Sequence, residues 1–404
     1  MTRLRPFVAA LVAAFLAPSA HAFYNDRFEV FADETMTWDS NVFRLSRDLD
    51  PNTVTGQGSR GDRFNVHSLG ATMDLPYSLQ RFQAGYTWFA TRYHRFSQLD
   101  FNGHDAHANW LWAVTPELTG DAGYLDSTSL ANFAVFGGTT KDLVTARQAY
   151  VNGTWAPTPS YQLFGGFTRN EREHSDAARR ANDVESNAAE ARFSYVNAAE
   201  NRIGVSVRRE KGHSPETIFQ GLPFDNSYTQ DSTGVVTRWT VSGHSRFDGR
   251  ADYVHRKYEQ LSQRDYKGPS FRVTHTWTPT GKLTFVTTAY REIAPLDDVQ
   301  TAFVKTTGVT FKPRWDVTYK ISVQGSFDYS RWDYQPVLPV ALPGGGFQAG
   351  NYQHRYRTGG ISIAWRPYTH VLFQAGLLRD VRTSTLFAAD YVANVATLEA
   401  RIGF

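Results

Sequence analysis

From Phe28 to the end of the chain, apolar and polar residues alternate with a period of two, and the helical spacing of three and four is rare. Tyr319, Ile321, Val323, Gly325, Phe327 and Tyr329 fall on one face of such a segment. Lys320, Ser322, Gln324, Ser326 and Asp328 fall on the other. Ile203, Val205 and Val207 alternate in the same way with Arg202, Gly204, Ser206 and Arg208. Phe247, Gly249, Ala251 and Tyr253 alternate with Asp248, Arg250, Asp252 and Val254. Side chains of a strand point to opposite faces in turn, so each segment predicts a strand with one apolar and one polar side. Only "NDVESNAAEARF" (182–193) is ambiguous between helix and strand.

A phrase recurs between these segments: "LWAVTPEL", "TWAPTPSYQL", "HTWTPTGKLTF", "TFKPRWDV" and "AWRPYTHV", centred on Pro116, Pro157, Pro279, Pro313 and Pro367. Proline cannot donate to a strand ladder and pre-sets a turn, so each copy predicts a tight turn. The aromatic residue two before it (Trp155, Trp277, Phe311, Trp365) suits a membrane interface. Pro76, the stretch around Ala198 and the stretch near His244 complete a series of turns about 42 residues apart. Longer polar connections lie between them, such as residues 46–62, 126–142, 170–186, 210–227 and 334–351. Short turns on one side and long loops on the other predict an all-β fold: a transmembrane, antiparallel, up-and-down β-barrel. Its count is about 18 strands (16–18), with short periplasmic turns, long external loops and both termini in the periplasm. Residues 336–350, long and rich in Pro and Gly, read as an external loop, with a plug as the alternative.

The first residues place this barrel. "MTRLRP" is basic, "FVAALVAAFLA" apolar and "PSAHA" a small-residue cleavage site, so residues 1–22 read as a signal peptide cleaved near Ala22. Residues 23–404 are then the barrel domain, located in the outer membrane of a Gram-negative cell. With no cysteine, neither disulfides nor thiolate metal sites enter. A polar mean hydropathy coexists with 28 Phe, 20 Tyr and 10 Trp, as expected of strands with one wet and one lipid-facing side. The final "VATLEARIGF" alternates up to Phe404, in the manner of the signal read by the barrel-assembly machinery.

Net charge of +3 gives no reason to invoke nucleic acid. If apolar faces meet lipid, polar faces line the lumen, and its candidate wall includes Arg192, Arg202, Arg208, Arg238, Arg250, Arg256, Arg272, Arg355, Arg357 and Arg401. Glu190, Asp248, Asp252, Asp328 and Glu399 lie among them. Cross-strand ion pairs in a hydrated wall account for each singly; a surplus of arginine would favour anionic solutes. His104 and His107 point to opposite faces of a strand and so do not form a metal site. No nucleophile elbow, HExxH or phosphate loop is present, so neither an enzyme nor a cofactor is expected.

"DETMTWDSNVFRLS" (33–46), "YHRFSQLDFNGHDAHANWLWAVTPELTGDAGY" (93–124) and the closing "ARIGF" resemble the outer-membrane transporters of exosortase-associated extracellular polysaccharide biosynthesis (EpsL type). That resemblance implies polysaccharide export, with an inner-membrane polymerase and a periplasmic export partner. The alternative from the residues is a general or anion-preferring porin for small solutes.

Overall fold

The computed structural model describes residues 27–404 except 137, 214–216, 220–221, 226, 261, 263–264, 295–300, 337–339, 342–346 and 349. The first 22 residues, and with them the expected signal peptide, lie outside the described residues. The chain forms one 18-stranded antiparallel sheet. Its first six strands are β1 (Phe28–Asp39), β2 (Asp62–Tyr77), β3 (Gln80–Tyr93), β4 (Phe101–Thr115), β5 (Leu118–Leu130) and β6 (Leu143–Thr158). The next six are β7 (Tyr161–His174), β8 (Val184–Val196), β9 (Arg202–His213), β10 (Tyr228–Ser242), β11 (Ser245–Tyr258) and β12 (Tyr266–Thr280). The last six are β13 (Leu283–Ala294), β14 (Thr301–Asp316), β15 (Ile321–Pro336), β16 (Tyr352–Tyr368), β17 (Val371–Ser384) and β18 (Tyr391–Gly403).

Each strand pairs with its neighbour in sequence, and β1 pairs with β18 from Phe31↔Gly403 to Asp39↔Val395. The sheet therefore closes and has no edge, the condition for strands to cross a bilayer with every backbone group satisfied. Val30 and Phe404 exchange both backbone hydrogen bonds across the seam, at 3.3 and 2.8 Å. The chain is an outer-membrane barrel. The ambiguous stretch 182–193 lies mostly in β8.

The proline phrase needs one correction. Only Pro116 sits in a turn; Pro76, Pro157, Pro279, Pro313 and Pro367 lie within the last residues of β2, β6, β12, β14 and β16. Trp155, Trp277 and Trp365 are the last residues in regular register, and pairing resumes at Thr158, Thr280 and Tyr368. The amide following each tryptophan (Ala156, Thr278, Arg366) donates at 2.8 Å to a carbonyl in the adjacent turn. Proline then occupies the slipped position, where the ladder asks for no N–H. The phrase marks a strand end rather than the turn itself, with a built-in bulge in its three tryptophan copies, while Pro313 stays in register with Phe285.

Outside, the aromatic residues near these ends form a belt. Trp277–Phe285, Phe285–Phe311 and Phe311–Phe327 follow one another at 5.3, 5.9 and 6.3 Å between ring centroids. Trp155, Trp277 and Trp365 are about half exposed, as rings at a lipid–water boundary should be. Above them, Val205, Val207, Val273, Ile361, Ile363 and Leu377 are likewise exposed, and lipid takes the place of a protein core for each.

The main buried apolar cluster is instead built from loops. Phe43 and Leu45 (loop 40–61), Phe96 and Leu99 (loop 94–100) and Phe133 (loop 131–142) pack together, with Phe43 edge-on to Phe96 at 4.8 Å and to Phe133 at 4.9 Å. Two short helices belong to these loops, α1 (Pro51–Thr55) and α2 (Phe133–Phe136).

Candidate substrate pathway

Strand register fixes which side chains share the lumen. Along β8 to β12 the pairs Glu190↔Arg208, Arg208↔Ser232, Arg202↔Arg238, Arg238↔Asp248 and Arg250↔Arg272 place these residues on one face. The opposite face carries Phe193, Val205, Val235, Trp239, Phe247 and Phe271, all exposed and apolar. The polar face is the inner one. Eight arginines (192, 202, 208, 238, 246, 250, 256, 272) stand there against four carboxylates (Glu190, Glu210, Asp248, Asp252) on these five consecutive strands.

The carboxylates hold part of this wall in place. Arg250 donates Nε to Asp252 at 2.6 Å and Nη1 to both oxygens of Glu190 at 3.0 and 3.1 Å. Glu190 lies on β8 and Arg250 on β11, so the guanidinium reaches over two intervening strands. Small paired residues, Ser206 and Gly234, make that approach possible; a Cβ at Gly234 would run into Asp252 and the Ala251 carbonyl. Asp248 accepts from Arg238 at 2.8 Å and Arg246 at 2.9 Å. Arg208 donates to Glu210, which also accepts from Tyr228, both at 2.8 Å. Arg256, almost fully buried, donates to Gln230 at 2.9 Å and lies over the Tyr228 ring. Arg272 pairs with Glu292. Arg192 lies over the Phe164 ring at 4.3 Å, and neither it nor Arg202 forms an ion pair among the described residues. Arg401 is inward on the far wall, donating to Glu29 at 3.0 Å and lying over Phe31.

The facing wall, β15 to β18 and β1, turns Asp328, Asp380, Glu399, Asp33 and Asp39 inward together with Arg382 and Arg401. The two walls thus differ in sign, and a charged solute between them experiences a transverse field.

Loop 131–142 reaches across the mouth to the acidic wall. It leaves from β5 and β6, yet the Ala134 carbonyl accepts from the Arg382 guanidinium on β17, and Ala134 packs on Tyr356 and Tyr391. Its base is fixed by Asp142, whose buried carboxylate accepts from the Asp176 amide at 3.0 Å and the Ser175 hydroxyl at 3.3 Å. Loop 40–61 locks alongside. Asn41 donates to the carbonyls of Leu45 at 2.9 Å and Val392 at 3.2 Å, and Arg44 pairs with Asp39 at 2.7 Å and Asp380 at 3.6 Å. The outer mouth is therefore narrowed by a packed block. The alternative of a plug at 336–350 falls largely outside the described residues.

Eight of the ten arginines expected in the lumen are there. Arg355 and Arg357 are not: they share the face of β16 that carries Ile361, Ile363 and Trp365, which is the outer one, while His354 and Tyr356 point inward. Arg246, inward and bonded to Asp248, was absent from the expected set although its alternation with Phe247 reveals it. His104 is outward, bonded to Asp126 at 3.0 Å and stacked on Tyr86, and His107 is inward, as strand geometry requires.

No family model matches the chain, and no curated protein matches it. Solved structures do match in fold. OccK2 (OpdF) of Pseudomonas aeruginosa gives a TM-score of 0.52 at 7% identity, over 95% of this chain and 99% of that one. OccK9 (OpdG) of the same organism gives 0.49 at 10% identity over 95% and 100%. A BenF-like porin from Pseudomonas fluorescens Pf-5 gives 0.49 at 8% identity over 94% and 99%. One of these neighbours is a porin by name, and the likeness they share with this chain is one of fold. They also overturn the expected kinship with exosortase-associated transporters, and with it the exported polysaccharide, the polymerase and the periplasmic export partner. The segments that carried that resemblance have another explanation: Asn41, Phe43, Leu45, Leu99 and Phe101 are barrel-mouth packing residues, buried for structural reasons.

Proposed function

We propose that the chain is a porin for small solutes with a preference for anions. The observation that carries this reading is the continuous arginine wall on β8 to β12, with twice as many guanidinium groups as carboxylates facing the lumen. Such a wall raises the local concentration of anions and offers them successive, replaceable contacts, so that a solute is attracted without being trapped. Carboxylate and phosphate groups suit it best, because the guanidinium fork meets either with two hydrogen bonds. The carboxylates between the arginines hold the forks apart and aimed inward. Opposite, Asp33, Asp328 and Glu399 disfavour an anion, which confines it to the basic side. The loop block limits solute size. Residues 1–22 act as a signal peptide, and β18 with the Phe404 that follows it presents the insertion signal to the barrel-assembly machinery.

Swelling of liposomes containing the purified barrel tests the reading. Small mono- and dicarboxylates are expected to enter faster than neutral sugars of equal mass, and these faster than small cations. Equal rates for all three would refute the anion preference, and no permeation of any small solute would refute the porin.

A further inference from the structure

The outer wall carries a feature that the pathway does not use. Where β15 to β18 meet β1 and β2, the lipid-facing surface is hollowed into a groove of about 1160 Å³. Its floor is apolar: Phe327, Gly359, Ile361, Leu377 and Ala396, the larger three of which are at least half exposed. Small side chains at Gly359 and Ala396 produce the hollow, since larger residues there would level it with Ile361 and Leu377.

Its rim is cationic. Arg379 lines the groove, Arg357 lines the adjoining cleft over Phe327 and Val381, and Arg63 and Arg95 close the end nearest the long loops. Several other cations of this outer face are neutralised: Arg147 by Asp126, Glu171 and Glu173, Arg169 by Glu171 and Glu185, Arg209 by Asp231, and Lys305 and Arg331 by Asp333. Among the described residues Arg357 and Arg379 have no carboxylate partner; Arg379 touches only Asn394, at 3.3 Å. Of the acidic residues bordering the groove and its cleft, Asp39 and Asp328 turn their side chains into the lumen, and Asp62 is occupied by the backbone amides of Arg63, Arg95 and Phe96 at 2.7 to 3.0 Å. Four guanidinium groups against one outward-facing carboxylate, above an apolar trough on a lipid-facing wall, call for a ligand with an anionic head and a hydrocarbon tail. The rim lies towards the long-loop side, at the strand ends Trp38 and Arg63, the level of the outer-leaflet headgroups.

We propose that this groove is a binding site for a phosphorylated, acylated glycolipid of the outer leaflet. One acyl chain lies in the trough, and phosphate is held by Arg357 and Arg379. The chemistry required is a charge-assisted, bidentate hydrogen bond to a planar guanidinium combined with burial of apolar chain. The site depends on the outer-membrane location and not on the solute preference of the lumen.

The test is native mass spectrometry of the purified full-length barrel in non-ionic detergent, titrated with a diphosphoryl hexa-acyl glucosamine disaccharide. A zwitterionic phospholipid and inorganic phosphate serve as separate probes. The phosphorylated glycolipid is expected to bind at least about tenfold more tightly than the zwitterionic lipid, and Arg357→Gln with Arg379→Gln to lose about tenfold, as expected for charged hydrogen bonds. Gly359→Leu fills the trough. A Cβ there meets only the Phe327 ring at 3.6 Å, so the barrel folds, as a heat-dependent gel shift will verify, while lipid binding falls. Unchanged binding in both variants would overturn the proposal. So would inorganic phosphate displacing the lipid at equal concentration, which would mark a free-anion site, or a stable oligomer that covers the groove and holds no lipid.

Discussion

Replacing Arg192 and Arg202 by glutamine removes two positive charges from the lumenal faces of β8 and β9 while keeping neutral, hydrogen-bonding side chains there. Neither arginine is in an ion pair among the described residues, so neutralising them leaves no carboxylate stranded. Two unit charges about 4 Å apart interact by about 1 kcal/mol in bulk water and about 4 kcal/mol at an effective dielectric of 20. A hydrated lumen wall lies near the lower figure, so each guanidinium contributes about 1 kcal/mol to a passing anion, or roughly fivefold in its occupancy. The double variant should therefore reduce the anion-to-cation permeability ratio by about tenfold or more. The assay is the reversal potential of single channels in a planar bilayer under a potassium chloride gradient near 0.1 M, where the screening length is about 10 Å; near 1 M it falls to about 3 Å and the effect should fade. Arg209→Gln serves as the control, since Arg209 lies on the outer face with Asp231. A double variant with the reversal potential of the parent, or an Arg209 variant that shifts as far, would refute the argument.

Other consequences follow from the same contacts. Glu190→Gln frees Arg250 from one of its two carboxylates and should move the reversal potential in the opposite direction, towards stronger anion preference. Phe133→Ala removes the ring by which loop 131–142 packs on Phe43, a change that costs about 3–5 kcal/mol for a buried phenylalanine, and should raise single-channel conductance while the heat-dependent gel shift of the barrel persists. Gly234→Leu places a side chain where Asp252 and the Ala251 carbonyl already are, and should lower the yield of folded barrel in detergent refolding. Mass measurement of the protein extracted from outer membranes should give a chain beginning at Phe23; an uncleaved chain would remove the signal peptide from the account.

How much of this was legible in the sequence follows from physics of different range. Strand number and facing depend on alternation, which is local, and they read correctly for Arg192 to Arg272 because apolar neighbours such as Val205 and Phe247 set the phase. At "YQHRYRT" (352–358) the tyrosines blurred that phase, since Tyr352 and Tyr356 are inward aromatics, the second of them packed against Ala134 of the loop block, and Arg355 and Arg357 were assigned to the wrong face. Carrying the parity back from Ile361 and Trp365 corrects both. The proline phrase gave the right strand ends and the wrong turn residue, because a bulge and a turn make the same demand for a missing N–H. The loop block was not legible: Phe43, Phe96 and Phe133 are far apart in sequence and share no period, and only closure of the barrel brings them together. The outer groove is a shape, made by Gly359 and Ala396 on non-adjacent strands, and no local pattern announces it.

The most direct measurement is the reversal potential of the unmodified barrel, purified and inserted singly into a planar bilayer across a tenfold potassium chloride gradient. The arginine wall predicts a potential of the sign that chloride dictates, with discrete conductance steps. A potential of the sign that potassium dictates, or a folded barrel that never conducts, would contradict the account.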